Sequence, residues 1–229
     1  MRFLVAGDSW GVGEWANPHQ VLHGGLAQYF KDAGHDVTNV SHGGISNLDI
    51  VNRIEIFFDR HPGLTVDRVF VFQTEYHRDY KHWYTHNTTD WDNIESCWIE
   101  RFYHKLSELA VRHNFQTYLI GGCSDTIWFD DMSTDYPNCH VACQSLVNLI
   151  CNQDHRINNP VHSWYAKSAL EFVKELQQRG IDRIAAMELG FQREAQVREH
   201  PEFFYPDGVH PNQRGHLVLY NYLLNLELS

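Results

Sequence analysis

The sequence has little positive charge and no long hydrophobic run. Its 229 residues include 18 lysines and arginines against 29 aspartates and glutamates, a formal net charge of -11. A surface with this balance repels phosphate backbones and anionic lipid headgroups, so neither nucleic acid nor an anionic membrane is an expected partner. Because no stretch of about 18 uninterrupted apolar residues occurs, no membrane-spanning helix is expected.

Neither a secretory leader nor the disulfide framework of a small secreted scaffold is expected from the sequence. Residues 1–7 run straight into an apolar strand, without the charged, apolar and cleavage regions of a signal peptide. The five cysteines are odd in number and lie between residues 97 and 151, which does not indicate a disulfide framework. We therefore expect a cytoplasmic protein that starts folding at residue 1, or a virion-associated one if the source is viral.

Short apolar runs alternate with longer segments of helical periodicity, the pattern typical of βαβ units. Strands are predicted at about 2–6, 37–40, 69–72, 117–120 and, more weakly, 183–187, and helices at about 20–33, 48–58, 94–112, 164–178 and 213–226. The continuous apolar run Val69–Phe72 is predicted to be the central strand. With 43% hydrophobic residues, residues 1–229 are expected to form one α/β domain, a three-layer αβα sandwich around a flavodoxin-like, doubly wound parallel sheet.

Polar or glycine-rich turns follow the first three predicted strands. They read Gly-Asp-Ser-Trp-Gly at 7–11, Ser-His-Gly-Gly-Ile-Ser-Asn at 41–47 and Gln-Thr-Glu at 73–75. In a doubly wound sheet, ligands bind at the carboxyl ends of the strands, so the three turns are expected to share one rim. A serine there becomes a nucleophile only if a base takes its proton, and glycine-rich turns supply backbone N–H groups for an oxyanion.

A candidate base lies near the end of the sequence, in Asp-Gly-Val-His-Pro-Asn at 207–212. A turn can place the Asp207 carboxylate against Nδ1–H of His210, which leaves Nε2 free to deprotonate a serine. With its amino-terminal Gly-Asp-Ser and its carboxy-terminal Asp-x-x-His, in the chain order Ser, Asp, His, the sequence resembles the SGNH, or GDSL-like, hydrolase family. The motifs lie at both ends, so the resemblance spans essentially the whole chain, apart from about 124–160.

The resemblance implies the SGNH hydrolase fold and a serine esterase or deacetylase mechanism. Ser9 would be the nucleophile, Asp207 the orienting carboxylate and His210 the general base and then acid. The backbone N–H groups of Ser9 and Gly44 would stabilise the oxyanion. The reaction would pass through an acyl-enzyme, with neither a cofactor nor a metal.

One family motif is altered in this sequence. The third motif normally reads Gly-x-Asn-Asp, with the asparagine amide as an oxyanion donor, but here Gln73-Thr74-Glu75-Tyr76 occupies the place and Glu75 stands at the asparagine position. An ionised carboxylate cannot donate, and loss of one oxyanion donor typically costs roughly 100- to 1,000-fold in turnover. We expect Gln73 to substitute, with the Thr74 hydroxyl and a protonated Glu75 as alternatives.

Aromatic residues are concentrated directly after that motif. Residues 76–91 contain Tyr80, Trp83, Tyr84 and Trp91 among several histidines, close to the expected rim. Flat aromatic faces suit a sugar, and a long insertion over an active site is often a lid, although a small aromatic core under the loop explains them equally well. We predict lid insertions at about 75–93 and 124–160 and a small-molecule or carbohydrate ester as substrate. The predicted substrate-binding residues are Asn47, Thr74, Glu75, Arg78 and Trp83.

Other interpretations remain open at these sites. Ser9 can simply cap the first helix. Zinc can be bound by histidine pairs four residues apart, namely His19 with His23 and His82 with His86. A second possible zinc site consists of Cys139, Cys143, Cys151 and His155. The three cysteines and Val147 also fit one apolar stripe on a helix, in which cysteine packs as a small buried residue. Finally, the protein can be a non-catalytic SGNH-like binding or structural module, for example in a virus particle, in which Glu75 marks a decayed oxyanion hole.

Overall fold

A computed structural model describes residues 1–17, 20–74, 91–122, 126, 132–155, 200–205 and 210–226. Its strands are β1 Arg2–Gly7, β2 Glu14–Asn17, β3 Gln20–His23, β4 Asp36–Asn39, β5 Arg68–Gln73, β6 Gln116–Gly121 and β7 Cys139–Cys143. Its helices are α1 Ser9–Val12, α2 Gly25–Asp32, α3 Asn47–Arg60, α4 Trp91–His113, α5 Met132–Asp135, α6 Leu146–Asn152 and α7 Gln213–Asn225. The predicted helix at 164–178 and strand at 183–187 lie outside the described residues.

Five of the strands form one sheet in the order β4-β1-β5-β6-β7, and all of its pairings are parallel. Leu4 of β1 pairs with Val69 of β5, which in turn pairs with Thr117 of β6. Strand β5 is central, as its uninterrupted apolar sequence predicts, and Val69 to Phe72 are all fully buried. Strands β2 and β3 form a separate antiparallel hairpin.

Helices cover both faces of the sheet because alternate side chains of each strand point to opposite sides. Helices α2, α6 and α7 contribute to the core that contains Phe3, Val5 and Phe70. Helices α3 and α4 contribute to the core that contains Leu4 and Val71 on the other face. The predicted three-layer α/β sandwich with a doubly wound parallel sheet is thus confirmed.

Two sequence predictions are wrong. Residues 20–23 form strand β3 and not the start of a helix. The two glycines at 24 and 25 separate this strand from helix α2, which begins only at Gly25. The cysteines do not share a helical stripe, because Cys139 and Cys143 are the first and last residues of β7, an edge strand of the sheet. The register between β7 and β6 is irregular. These two cysteines pack in the cores on opposite faces of the sheet.

Strand β7 and helix α6 both come from the stretch 124–160, so part of that predicted insertion belongs to the sandwich. Most of the first predicted lid, residues 75–90, lies outside the described residues. Of the helices that the structure describes, none combines the length and apolar character needed to cross a bilayer.

Candidate active site

The side chains of Ser9 and His210 are in direct contact at the carboxyl edge of the sheet. Ser9 Oγ lies 3.0 Å from His210 Nε2, although 201 residues separate the two in sequence. Ser9 is buried, at 7% exposure, and His210 is half-buried. When Nε2 carries no proton, the serine hydroxyl donates to it, which is the geometry that general-base activation requires.

Local hydrogen bonds fix the turn that carries Ser9. Asp8, and not Ser9, is the N-cap of the short helix α1, and its Oδ1 accepts from the backbone N–H of Trp10 at 2.9 Å. The capping role is therefore filled by the preceding residue, and the Ser9 hydroxyl is engaged by His210 instead.

The turn that carries His210 is held against the start of helix α7. The backbone N–H of Tyr205 donates to the carbonyl of His210 at 2.8 Å. Asn212 caps α7, since its Oδ1 accepts from the N–H groups of Arg214 and Gly215 at 2.8 and 3.2 Å, and its Nδ2 donates to the carbonyl of Phe204 at 3.2 Å. His210 thus lies between two hydrogen-bonded positions, the backbone of Tyr205 before it and the side chain of Asn212 after it.

Three loops at this edge are joined by a buried hydrogen-bond network. The hydroxyl of Thr74, which follows β5, donates to Oδ2 of Asp8, which follows β1, at 2.7 Å. Asn47, the first residue of α3, donates from Nδ2 to the carbonyl of Thr74 at 2.9 Å and accepts from its N–H at Oδ1 at 3.0 Å. All three side chains are at most 2% exposed. The side chains of Asn47 and Thr74 are therefore bonded within the protein at the very positions predicted to touch substrate.

Gln73 ends the central strand and faces helix α4. Its Oε1 accepts from the hydroxyl of Tyr103 at 2.9 Å, and Gln73 is 2% exposed. Complete burial raises the pKa of Tyr103 far above its usual value, so the phenol stays protonated and remains a donor. This bond assigns the oxygen end of the amide and leaves its nitrogen as the donor end.

The glycine-rich loop after β4 passes beside the nucleophile. The N–H of His42 donates to the carbonyl of Gly7 at 3.0 Å. A methyl group built on Gly43 would lie 3.9 Å from Cβ of Ser9, whereas one built on Gly44 meets nothing within 4 Å. Gly44 itself has a φ of +76°, in the left-handed region that favours glycine. The loop therefore passes next to Ser9 at Gly43, and at Gly44 it adopts a backbone conformation that favours glycine.

Two tryptophan rings lie near the imidazole of His210. The ring of Trp15, on strand β2, lies 4.6 Å from that of His210 at an interplanar angle of 67°, and 5.7 Å from that of Tyr205. Trp10 lies farther away, at 6.4 Å from the His210 ring. The sequence predicts no element at Trp15, and it predicts a helix where the partner strand β3 lies.

Several predicted site residues lie outside the described residues, namely Glu75, Arg78, Trp83 and Asp207. In the part of the chain that the structure covers, no group of three or more histidine, cysteine, aspartate or glutamate side chains is arranged to hold a metal ion.

No protein-family model matches the chain, and no curated protein matches it. Solved structures do match in fold. The psychrotrophic esterase EstA from Pseudoalteromonas sp., a structure inhibited by monoethylphosphonate, aligns with a TM-score of 0.50 at 10% identity over 98% of this chain and 94% of the esterase. Protein YXIM from Bacillus subtilis aligns with a TM-score of 0.50 at 14% identity, over 97% of this chain and 54% of that protein.

A further structure, of a member of the lipolytic protein G-D-S-L family from Veillonella parvula, aligns at 15% identity with a TM-score of 0.45, over 99% of this chain and 97% of that one. At these identities the comparisons establish the fold alone. The alignment with EstA confirms that the expected sandwich is one also adopted by an esterase.

Proposed function

We propose that this protein is an SGNH-type serine hydrolase that cleaves carboxylic esters, with Ser9 as nucleophile and His210 as base. The observation that carries the proposal is the 3.0 Å contact between Ser9 Oγ and His210 Nε2 at the carboxyl edge of the sheet. Position and chemistry agree, because this edge is where doubly wound sheets bind ligands and because an unaided serine is a weak nucleophile.

The reaction follows from this geometry in two stages. His210 Nε2 takes the hydroxyl proton while Ser9 Oγ bonds to the ester carbonyl carbon, and the carbonyl oxygen becomes an oxyanion. When the oxyanion collapses, the bond to the alcohol oxygen breaks and His210 gives the proton to that oxygen. Water then attacks the acyl-enzyme, with His210 again as base, and the acid and free Ser9 are released. We assign to Asp207 the orientation of His210 through Nδ1.

Backbone N–H groups of Ser9 and Gly44 are the proposed oxyanion donors, with Gln73 as the third. The Gln73 amide donates through its nitrogen, while its oxygen accepts from the Tyr103 hydroxyl. We leave Thr74 out of the donor set because its single hydroxyl proton lies in the 2.7 Å bond to Asp8. Thr74 and Asn47 are better suited to holding the loops than to touching substrate.

For the substrate we propose a small acyl group on a carbohydrate. The support is the aromatic sequence at 76–91, with the proposed contacts Glu75, Arg78 and Trp83 directly after the central strand. The esterase EstA is inhibited by monoethylphosphonate, which makes phosphonates suitable probes of a serine nucleophile here. A cytoplasmic location remains part of this proposal.

A non-catalytic binding module is the second candidate, and it is favoured by Glu75 at the position of the oxyanion asparagine. A hydrolysis assay separates the two functions. Purified protein is incubated with p-nitrophenyl acetate, p-nitrophenyl octanoate and acetylated xylose, with Ser9→Ala and His210→Gln prepared identically. Turnover of acetyl esters that both variants lose supports the esterase, and preference for octanoate contradicts the small acyl group. Hydrolysis that persists in Ser9→Ala, or none in the native protein, contradicts the proposed mechanism.

A further inference from the structure

The turn that carries His210 is contacted by a second part of the chain, the hairpin formed by β2 and β3. This hairpin begins at Glu14, two residues after helix α1, and so belongs to the same short segment as Ser9. The hairpin is fixed at three levels: by packing on the imidazole ring, by a hydrogen bond to the start of helix α7, and by a close backbone approach at its own base.

At the first level, the indole of Trp15 packs edge-to-face on the imidazole. Their centroids are 4.6 Å apart at 67°, within the range of favourable aromatic pairs. Trp15 also packs on Tyr205, whose backbone N–H donates to the carbonyl of His210 at 2.8 Å. One side chain of the hairpin therefore contacts both the ring of His210 and the residue that fixes its backbone.

At the second level, a carboxylate next to Trp15 anchors the helix that follows His210. Oε2 of Glu14 accepts from the backbone N–H of Gln213, the first residue of α7, at 2.7 Å. The first N–H groups of a helix have no partner within it, so an anionic acceptor at this point is favourable in both hydrogen bonding and helix-dipole energy. Tyr29 of α2 adds a 3.0 Å bond from its hydroxyl to the carbonyl of the same Gln213.

At the third level, the base of the hairpin is closed by a backbone approach that excludes a side chain. A methyl group on Gly13 would lie 2.4 Å from the carbonyl oxygen of His23 and 2.5 Å from the nitrogen of Gly25, distances that a real methyl group cannot adopt. Gly13 also has a φ of +105°. The hairpin therefore leaves α1 and rejoins α2 at one fixed point.

We propose that this hairpin is a clamp that holds the His210 imidazole within reach of Ser9, with Trp15 as a positioning residue. The proposal rests on the proposed function in so far as His210 is the base. Ser9 and His210 are 201 positions apart in sequence, yet their side chains lie 3.0 Å apart. The hairpin directly follows the turn that carries Ser9. It contacts the His210 ring and Tyr205 through Trp15, and the start of helix α7 through Glu14. Small misplacements of reacting groups have large rate effects, so an indole packed on the base affects rate without touching the reacting atoms.

The test compares Trp15→Ala with the conservative Trp15→Phe. Leu22→Ala is the control, because Leu22 lies on the same hairpin and is 55% exposed. The first readout is the rate constant for phosphonate addition to Ser9, followed by intact mass. We expect a drop of roughly ten- to a hundredfold in Trp15→Ala, rescue in Trp15→Phe and no change in Leu22→Ala. With an ester substrate, the loss should appear in kcat and leave KM nearly constant.

The second readout does not need activity. In protein with ¹³C-labelled histidine, the His210 Hε1 signal, identified by its loss in His210→Gln, should be displaced by the ring current of Trp15. It should move in Trp15→Ala and stay in Leu22→Ala. If Trp15→Ala fails to fold, Glu14→Ala and Glu14→Gln give the same comparison through the bond to Gln213, since glutamine keeps an acceptor oxygen.

The outcomes separate the two proposals. A native chain that takes no phosphonate overturns the proposed function, and the NMR signal alone then decides whether the hairpin holds His210. An unmoved His210 signal in Trp15→Ala overturns the clamp, as does a native-like labelling rate in a folded Trp15→Ala protein whose unmodified parent is active.

Discussion

Thr74 Oγ1 donates to Asp8 Oδ2 at 2.7 Å, and both side chains are completely buried. Asp8 also accepts from the backbone N–H of Trp10 through its other oxygen. Each oxygen of this carboxylate, next to Ser9 in sequence, therefore accepts a hydrogen bond. Because a buried carboxylate is costly without donors, each of these bonds matters to the position of the nucleophile as well as to stability.

Replacing Thr74 by valine should destabilise the protein. Valine has nearly the same shape but no hydroxyl, so the Asp8 carboxylate loses a donor while it stays buried. We expect the free energy of unfolding to fall by about 2–3 kcal/mol, measured by urea denaturation and circular dichroism. Thr74→Ser keeps the hydroxyl and should cost about 1 kcal/mol for the lost methyl group. A valine variant as stable as the serine variant would show that the bond contributes nothing.

An Asn47→Asp substitution sets two effects against each other. Asn47 is the first residue of helix α3, where an acidic side chain is ordinarily favoured by about 0.3–1 kcal/mol. Here, however, the substitution replaces the donor Nδ2 by an acceptor oxygen that faces the carbonyl of Thr74. We expect the repulsion between buried acceptors to dominate, with a loss of roughly 2 kcal/mol in urea denaturation at pH 8. A gain in stability would mean that the pairing with Thr74 is dispensable.

His216 should make the protein sensitive to acid. It lies on α7, fully buried, and both ring nitrogens lack a hydrogen-bond partner in the described part of the chain. Burial, and secondarily the nearby His23, lowers the pKa of His216 to about 3. The unfolded chain, with a pKa near 6.5, therefore binds a proton between these values that the folded state does not. Stability is thus complete above pH 6.5 and falls as the pH drops towards 3.

His216→Leu should remove this part of the acid sensitivity. Between pH 7.5 and pH 5, the native protein should lose about 2 kcal/mol more unfolding free energy than the variant. Burial also lowers the pKa of His23, His35, His113 and His140, but these residues remain in both proteins and largely cancel in the difference. Urea denaturation at the two pH values provides the measurement, and parallel losses would exclude His216 as the cause.

Cys139 should be inert to thiol reagents in the folded protein. It is 2% exposed in strand β7, and burial raises the pKa of its thiol to about 12. Because the thiolate is the reactive species, iodoacetamide at pH 8 should modify Cys139 only after unfolding in urea. Cys151, half-buried on α6, should react earlier. Peptide mass spectrometry of the two cysteines over time decides the matter, and equal rates in the native state would contradict the placement of Cys139.

The sheet was largely predictable because β1, β5 and β6 are short apolar runs with turns at their ends, and the shorter β4 directly follows the glycine that ends a predicted helix. Strand β7 escaped prediction because Cys139 and Cys143 have a four-residue spacing that also fits a helix, and the register irregularity that separates them cannot be inferred from spacing. The β2–β3 hairpin escaped for a different reason. Val21 and Leu22 are 54% and 55% exposed. Because they are apolar but not buried, the hydrophobic pattern of this segment does not indicate its structure.

The candidate site was predictable in its chemistry but not in its supports. The sequence predicts Ser9 and His210 as partners because each lies in a short motif at the end of the chain where the family has it. The bonds that tie Asn47 and Thr74 to each other depend on how closely two loops approach, which sequence alone does not specify. The contact of Trp15 with His210 likewise joins segments almost 200 residues apart.

Activation of Ser9 is tested most directly by the intact mass of the protein after incubation with a fluorophosphonate, in parallel with Ser9→Ala and His210→Gln. We expect one phosphonyl adduct per native chain, located on Ser9, absent from Ser9→Ala and formed far more slowly in His210→Gln. An unmodified native protein after prolonged exposure, or an adduct that persists in Ser9→Ala, would contradict the claim that His210 activates Ser9.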